Sequence, residues 1–582
     1  MRPISTPSQL RAKRLAASIA SLFAVLAPVS ALALETWTVT SCADANIGDP
    51  VTKTGTLRYA LLNATSPAII DMSKLTCSTI TLEQGELTTN LGTVFLTGPS
   101  PNPLTIDASA LPQINGNYRV LAHTSTSAGA TLYAYNLRLI GGHATGPNVT
   151  EGGCLYSAGS VVLHNTYVGH CTVSNSSTIH PAYGGGIFTR GDAALYGSTV
   201  AYNYANANGK NGSGGGICTL GNLKIYAGSD IHQNYVYSKT GFALGGNAYS
   251  RGTTTLSSSY LGRGGAKSAN SFAKGGGLYA TSDASLTNST LANNYATGSG
   301  LGGGVYARAN LSTTNSVLTG NAADSFGANA LASGNLVARY SAFSDSHGNY
   351  GTEIPSGVQI EGQTALISRS TISGNAGPGV AMAPRNSAGS LFQIVLSTIS
   401  GNTHGGLVLT GDLATAKFYG STIAFNHATS SGAGVSLFPT ASGMALTLQS
   451  TLISNNTANG VADDIDVESA NPYTINGGNL TAPANNLIFA STIPANKFPG
   501  DTLMGACPHL ERLRDNGGVT QTHRLLSHSV AIDSGNNVLG SAYDQRGKSQ
   551  PFVRVSGPLA DIGAYEVQQN DIVFGNDFEG CP

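Results

Sequence analysis

A run of small residues opening a short apolar stretch recurs twelve times between residues 154 and 460. It is plainest in Gly184-Gly185-Gly186-Ile187-Phe188, Gly214-Gly215-Gly216-Ile217-Cys218, Gly275-Gly276-Gly277-Leu278-Tyr279 and Gly302-Gly303-Gly304-Val305-Tyr306. With the third small position as a marker, the series is Cys154, Gly186, Gly216, Asn247, Gly277, Gly304, Asn329, Gly357, Gly379, Gly406, Gly434 and Gly460, at intervals of 22 to 32 residues. A near-constant period of this length marks a solenoid, whose repeats bury their apolar faces against one another.

A second column follows each marker by 16 to 23 residues, in phrases such as Ser370-Thr371-Ile372-Ser373-Gly374-Asn375. Its Asn members are Asn203, Asn234, Asn294, Asn321, Asn349, Asn375, Asn402, Asn426 and Asn455; His170 holds the place in the earliest coil, and the coil near Arg263 has no Asn there. Asn tolerates left-handed backbone, and its amide can bond to the same amide one coil above and below, so the column predicts a register-fixing stack.

Between the columns, apolar residues alternate or cluster in runs such as Ala193–Val200 and Ala445–Leu448, too short for a helix and without 3.6-residue spacing. Three short strands per coil, each paired in parallel with its equivalent in the next, describe an all-β chain wound as a parallel β-helix. Twelve coils at ~4.8 Å each give a rod on the order of 60 Å long. The residues two places beyond the markers (Tyr156, Phe188, Cys218, Tyr249, Tyr279 and Tyr306) then form a file whose expected role is packing.

Residues 1–33 have the form of a secretory signal peptide: Arg2, Arg11, Lys13 and Arg14, an apolar stretch from Leu15 to Val29, and the small-x-small site Ala31-Leu32-Ala33. No other segment approaches ~18 uninterrupted apolar residues, so no transmembrane segment is expected. Charged residues are 10% of the chain and Gly 74 of 582, against about 25% and 7% in ordinary domains, a composition that suits an exported strand rod and offers nothing to nucleic acid. Seven cysteines in an exported chain can pair. Proximity matches Cys42 with Cys77, Cys154 with Cys171 and Cys507 with Cys581, leaving Cys218 as an interior thiol, although spacing alone does not fix connectivity.

The chain divides into the signal peptide, an N-terminal cap at 34–80, repeats at 81–505, a small closing domain at 506–570 and a tail at 571–582. The segment Thr38-Val39-Thr40-Ser41-Cys42 through Gly55-Thr56-Leu57-Arg58-Tyr59-Ala60-Leu61 and Ile69-Ile70-Asp71 resembles the CSLREA-type N-terminal region of secreted bacterial β-helix proteins, with Gly-Thr-Leu-Arg-Tyr-Ala in place of the naming motif. Asp515–His523, Ser529–Gly535, Asp544–Gly547 and Asp561–Glu566 resemble, in order, the choice-of-anchor Q C-terminal domain. Residues 571–579 resemble a short tail found on many proteobacterial exported proteins. These resemblances imply a right-handed single-stranded parallel β-helix at or beyond the cell surface, adhesin-like, in a family without a common enzymatic activity.

Polysaccharide lyases and hydrolases built on β-helices place carboxylates on adjacent coils, as calcium ligands or as acid and base. Asp192, Asp283 and Asp412 share a column, but Asn222 and Thr253 hold the intervening coils. The first two therefore stand ~14 Å apart, beyond the reach of a catalytic pair, and read as turn residues. Arg190, Arg251 and Arg308 form a sparse basic column, read as a solvated turn. Asp463, Asp464 and Asp466, with Glu468 beyond, are the one dense acidic group and the candidate Ca²⁺ ligands; no other cofactor is expected. His509, His523 and His528 lack zinc spacing, and Asp533, Asp544, Arg546, Asp561 and Glu566 read as a structural network.

The leg from each Asn to the next marker varies from 4 to 13 residues, so all length variation projects from one edge. The longest loops contribute Tyr202, Tyr204, Lys210, Tyr235, Tyr237 and Lys239 as candidate ligand contacts. The expected function is non-enzymatic binding of an extracellular polysaccharide or a host or cell-surface protein through that edge. The alternative is a pectate-lyase-like polysaccharide lyase or hydrolase.

Overall fold

The computed structural model describes residues 34–112, 116–348, 355–386, 389–411, 413–477, 483–548 and 551–569. The proposed signal peptide, the tail at 571–582, Asn349, Asp412 and Cys581 lie outside these residues. The coil that starts at Gly186 shows how the repeat is built. Its strands Ile187–Thr189, Ala193–Tyr196, Thr199–Ala201, Tyr204–Ala207 and Gly212–Ser213 enter five different sheets, here called III, I, II, IV and V. Each pairs in parallel with its equivalent in the next coil, as Ile187 does with Ile217 and Val200 with Ile231. Alternate residues point inward, so Ala193, Leu195 and Val200 are buried while Tyr196 and Thr199 are half-exposed.

Sheet III contains fourteen strands, from Leu87–Thr89 to Ile465–Val467. There are thus two more coils than the twelve counted from small-residue starts, because the coils at Leu87 and Leu121 lack the Gly triplet. The number of strands per coil also differs from three. Sheet IV has nine strands and sheet V five, and the segments that length variation marks as loops are these strands. Their inward residues are small, Ala205, Val236, Ala266 and Ala296 from sheet IV against Ala243 and Ala273 from sheet V, and they form a second, thin core beside the main one. Farther along the rod the coils return to three strands, as in Val380–Met382, Leu391–Val395 and Thr398–Ser400.

The marker and Asn columns are one ladder inside the main core. Nδ2 of each amide donates to Oδ1 of the next at 2.8–3.0 Å, in the order Asn203, Asn234, Asn247, Asn294, Asn321, Asn329, Asn375, Asn402, Asn426 and Asn456, ending on Oδ1 of Asp464. The marker Gly faces the amide closely: a Cβ on Gly186 would lie 2.8 Å from Cγ of Asn203, and one on Gly277 2.9 Å from Cγ of Asn294. Where the turn residue is Gly264 or Ser346, the marker itself is the amide, Asn247 or Asn329. Three assignments shift accordingly. Asn456 is the member and Asn455 the left-handed residue before it; Cys171 takes the first place and His170 the left-handed one; Asp464, paired beside Gly434, is the last marker in place of Gly460. A left-handed residue precedes each turn amide, so counting along the chain cannot separate the two.

A second file, Ser289, Ser316, Ser341, Ser370, Ser397 and Ser421, lines the bend between sheets I and II. Each Oγ accepts the backbone N–H of its equivalent one coil earlier at 3.2–3.3 Å or, for Ser370, 3.1 Å.

At the N-terminal end, strand Glu35–Ser41 and helix Leu57–Asn63 cover the first coils, burying Trp37, Val39, Leu57, Ala60 and Leu61. The Thr56 hydroxyl caps the helix by accepting the Tyr59 N–H. Arg58 donates to both carboxylate oxygens of Asp44, at 2.7 and 3.0 Å, and to the carbonyls of Gly85 and Glu86. Although burial opposes it, Arg58 and the N–H groups of Gln84 and Glu83 hold the Asp44 carboxyl below its ordinary pKa.

Disulfides join Cys42 to Cys77 and Cys154 to Cys171. Cys218 is a buried free thiol in register between Phe188 and Tyr249.

The closing domain, in its described residues 507–548 and 551–569, has little regular structure and lies along the flank of the last coils. Gln545 and His523 bond Thr371, Thr398 and Ser400 of sheet II, Arg369 donates to the carbonyls of Tyr543 and Asp544, and Ala564 N–H meets Thr422. Leu510, Leu525, Ala531 and Ile562 pack on Ala424, Leu452 and Leu487.

Candidate functional site

The loop-derived candidates fall into three places. Tyr204, Tyr235 and Tyr237 lie on the outer face of sheet IV, whose rows run Tyr204, Tyr235, Gly265, Tyr295 and Asn206, Tyr237, Lys267, Thr297. Alternation sends Val236 into the thin core and Tyr235 and Tyr237 outward. Tyr202 is not on this face. It occupies the left-handed turn before sheet IV, stacked on His170 with ring centroids 5.0 Å apart and edge-on to His232. Lys210 and Lys239 are exposed at the turn between sheets IV and V. Sequence reasoning missed Tyr295, Asn206 and Lys267. The alternation in Tyr204-Ala205-Asn206-Ala207 and Tyr235-Val236-Tyr237-Ser238 was the available signal.

Stacking between coils determines what the face offers. Tyr204 and Tyr235 lie ring over ring at 5.4 Å and 17°, and Tyr295 tilts over the gap at Gly265 to within 6.3 Å of Tyr235. The ring faces are therefore spent on one another, and their edges and hydroxyls point outward. Burial, followed by neighbouring tyrosines, raises the pKa of the Tyr204 and Tyr235 phenols, so they remain neutral donors and acceptors.

The acidic group does not converge. Asp464 is buried, its Oδ1 accepting both the side-chain and backbone N–H of Asn456 and its Oδ2 the Ala490 N–H. Desolvation raises its pKa to about 7. Asp463 accepts the Gly432 N–H, and Asp466 accepts the Val467 N–H and the Thr492 hydroxyl. Among the described residues no three His, Cys, Asp or Glu side chains are placed to hold a metal ion. Asp464, one of the three candidate Ca²⁺ ligands, is the terminus of the Asn ladder.

Most of the other charged residues singled out in the sequence are tied up in turns and packing. Asp192 accepts from the backbone and side chain of Asn222, and Asp283 likewise from Asn310. Arg190 grips both oxygens of Glu151 at 3.1 Å. In the closing domain, Arg546 is sandwiched between Phe552 and Tyr565, 3.9 Å from each ring centroid, and pairs with Asp544 at 2.7 Å. Asp561 accepts the N–H groups of Asp533 and Val567, and Arg554 reaches Glu566 at 3.5 Å. The His509 and His528 rings meet at a tilt of 57° with centroids 4.2 Å apart, but His523 is buried against Ser400.

A crevice between the closing domain and the rod, lined by Leu396, Tyr419 and Arg554, holds only about 10 Å³, scarcely one water. No helix among the described residues is long and apolar enough to cross a membrane.

Residues 268–423 match the family model described as the right handed beta helix region. No curated protein matches the chain. A solved structure, the crystal structure of pectate lyase Pel9A, is similar over 92% of this chain and 97% of that one, at 13% identity and a TM-score of 0.29. A superposition that loose carries no argument about activity. The match across the central coils and the parallel stack of sheets make this chain a right-handed parallel β-helix over its repeats.

Proposed function

We propose that this protein is an exported, non-enzymatic β-helix that holds an extended extracellular polymer, a glycan, along the outer face of sheet IV in the manner of an adhesin. The supporting observation is the two-row face itself. Phenol hydroxyls, the Asn206 amide and the Thr297 hydroxyl recur at the coil spacing of ~4.8 Å, close to the rise of one pyranose unit in an extended chain. A flat, preformed array of rigid amphipathic side chains binds without ordering cost. Two disulfides are consistent with an oxidising compartment.

The test is a glycan array probed with the chain from residue 34 onward, beside Y235A and Y237A. Binding that falls about tenfold in these variants, with melting temperature unchanged for Y237A, supports the reading. Binding that is indifferent to both would move the site elsewhere. Release of unsaturated or reducing sugars, with or without Ca²⁺, would instead establish the degradative alternative.

A further inference from the structure

The central coils of the lobe built by sheets IV and V, between Glu151 in the first strand of sheet V and Asp324 on the far side, have an unusual charge balance. Segments 171–186, 202–216, 234–247, 264–277 and 294–304 contain no Asp or Glu and four lysines, Lys210, Lys239, Lys267 and Lys274. The whole chain carries −1, so the remainder carries −5 against the lobe's +4. The carboxylates that border it are withdrawn. Glu151 is held by Arg190, and Asp324 is half-buried, one oxygen accepting the Gly298 N–H.

Lys274 lies in the cleft toward sheet III, 5.3 Å from the ring centroids of Phe242 and Tyr306 and 5.6 Å from that of Phe272. The other three lysines are exposed and make no ion pair among the described residues. They fall on three successive coils: Lys267 is in register with Tyr237, Lys239 N–H bonds the Ala207 carbonyl of the coil before, and the Lys210 carbonyl accepts the Ser238 hydroxyl of the coil after. One ammonium per coil, advancing ~4.8 Å along the axis at each step, forms a diagonal stripe at the rim of the tyrosine face. Among the described residues no carboxylate is paired with it.

From this placement we infer that the polymer is an acidic glycan, its carboxylate or sulfate groups met by Lys210, Lys239 and Lys267 while its hydroxyls lie on the sheet IV rows. The inference rests on the proposed glycan-binding function and adds the charge of the ligand. A repeating anion suits a repeating cation, and exposed ammonium groups attract at a distance in a salt-dependent way.

The experiment measures binding of the chain from residue 34 onward to a polyuronate and its methyl-esterified form, to a sulfated glycosaminoglycan and its desulfated form, and to single-stranded DNA, at low and high salt. The expected result is tight binding to one acidic glycan, about tenfold weaker for its neutral counterpart and in K210E/K239E/K267E, and retained in K210R/K239R/K267R. The two pairs separate carboxylate from sulfate. Equal binding of charged and neutral forms, unchanged by charge reversal, overturns the acidic ligand and leaves the glycan reading standing. Failure of every glycan overturns both, and DNA bound as tightly as the best glycan overturns the assignment of the stripe to a polysaccharide. An unchanged melting temperature in the variants shows that the fold is not the cause.

Discussion

Nδ2 of Asn234 donates to Oδ1 of Asn247 at 2.9 Å, although Asn234 stands in a turn and Asn247 at the start of a strand. The two positions face each other across the interior, and one amide per coil fills the space between them. Either side can supply it, provided the other is small. The same rule places Cys154 opposite Cys171, where a disulfide fills the gap.

This reciprocity predicts the outcome of a swap. N294G should cost about 2–4 kcal/mol, because it opens a cavity and strands the Gly264 N–H and the Asn247 amide. G277N should also destabilise, because its side chain meets Asn294. The double variant G277N/N294G re-creates the Asn247–Gly264 arrangement and should regain more than half the loss. Urea unfolding of the four proteins measures the coupling, and simple additivity of the two losses would refute the rule.

The Cys154–Cys171 bridge occupies the first rung of the ladder, and Cys171 N–H already bonds Oδ1 of Asn203. C154A/C171A should lose about 3 kcal/mol, as expected for a loop of this length. C154G/C171N should lose less, because an amide introduced at the turn position can extend the file by one rung. Denaturation midpoints of the oxidised parent and the two variants decide the order.

Three buried carboxylates make stability fall as pH rises. Desolvation raises Asp464 to about 7, Asp561 to about 6 and Glu566 to about 8, each above its ordinary value. Each therefore binds a proton more tightly when folded, and its contribution is complete below the ordinary carboxyl pKa and lost as pH rises through the folded value. Buried His523, lowered to about 4 by desolvation, acts in the opposite sense: its contribution is present above 6.5 and lost as pH falls toward 4. The two effects oppose one another below pH 6.5. Between pH 6.5 and 8 only the carboxylates act, and stability should decline by on the order of 1 kcal/mol for each group still titrating. Unfolding free energies across that window check the sign, and E566Q should flatten the decline.

Arg546 ties the closing domain together through Asp544, the Glu566 carbonyl and two rings. R546K keeps the charge but loses the planar fork and the sandwich, and should loosen residues 507–567 at a cost of about 3 kcal/mol. Limited proteolysis should then release the closing domain first while the β-sheet circular dichroism signal of the rod persists. Simultaneous loss of both would show that the rod depends on its flank.

Much of the coil architecture was legible in the residues. The Gly-rich markers and the strand alternation could be read from spacing, because each depends on neighbours in the same or the next repeat; proximity suggested the Cys42–Cys77 and Cys154–Cys171 pairs, and the structure fixed them. The outer face of sheet IV was only half legible. Tyr204, Tyr235 and Tyr237 were picked as residues of a long loop, whereas the structure places them on a strand face with Tyr295 and Lys267 and sets Tyr202 apart. Variable leg length resembles loop drift when the extra strands are only two to four residues long. Asp463, Asp464 and Asp466 looked like ligands because adjacency in sequence does not reveal which way each side chain points.

The sequence by itself determined that the chain winds into a rod, since a repeat of near-constant length with short alternating strands can bury its apolar residues only by stacking on itself. Only the tertiary structure decided which amide occupies each rung, that the long legs form two further sheets over an alanine core, and that the closing domain lies along the flank. Those outcomes depend on which side of a coil a residue faces and on what lies across the interior. The distance that matters there is measured through space, between partners from 8 to 175 residues apart.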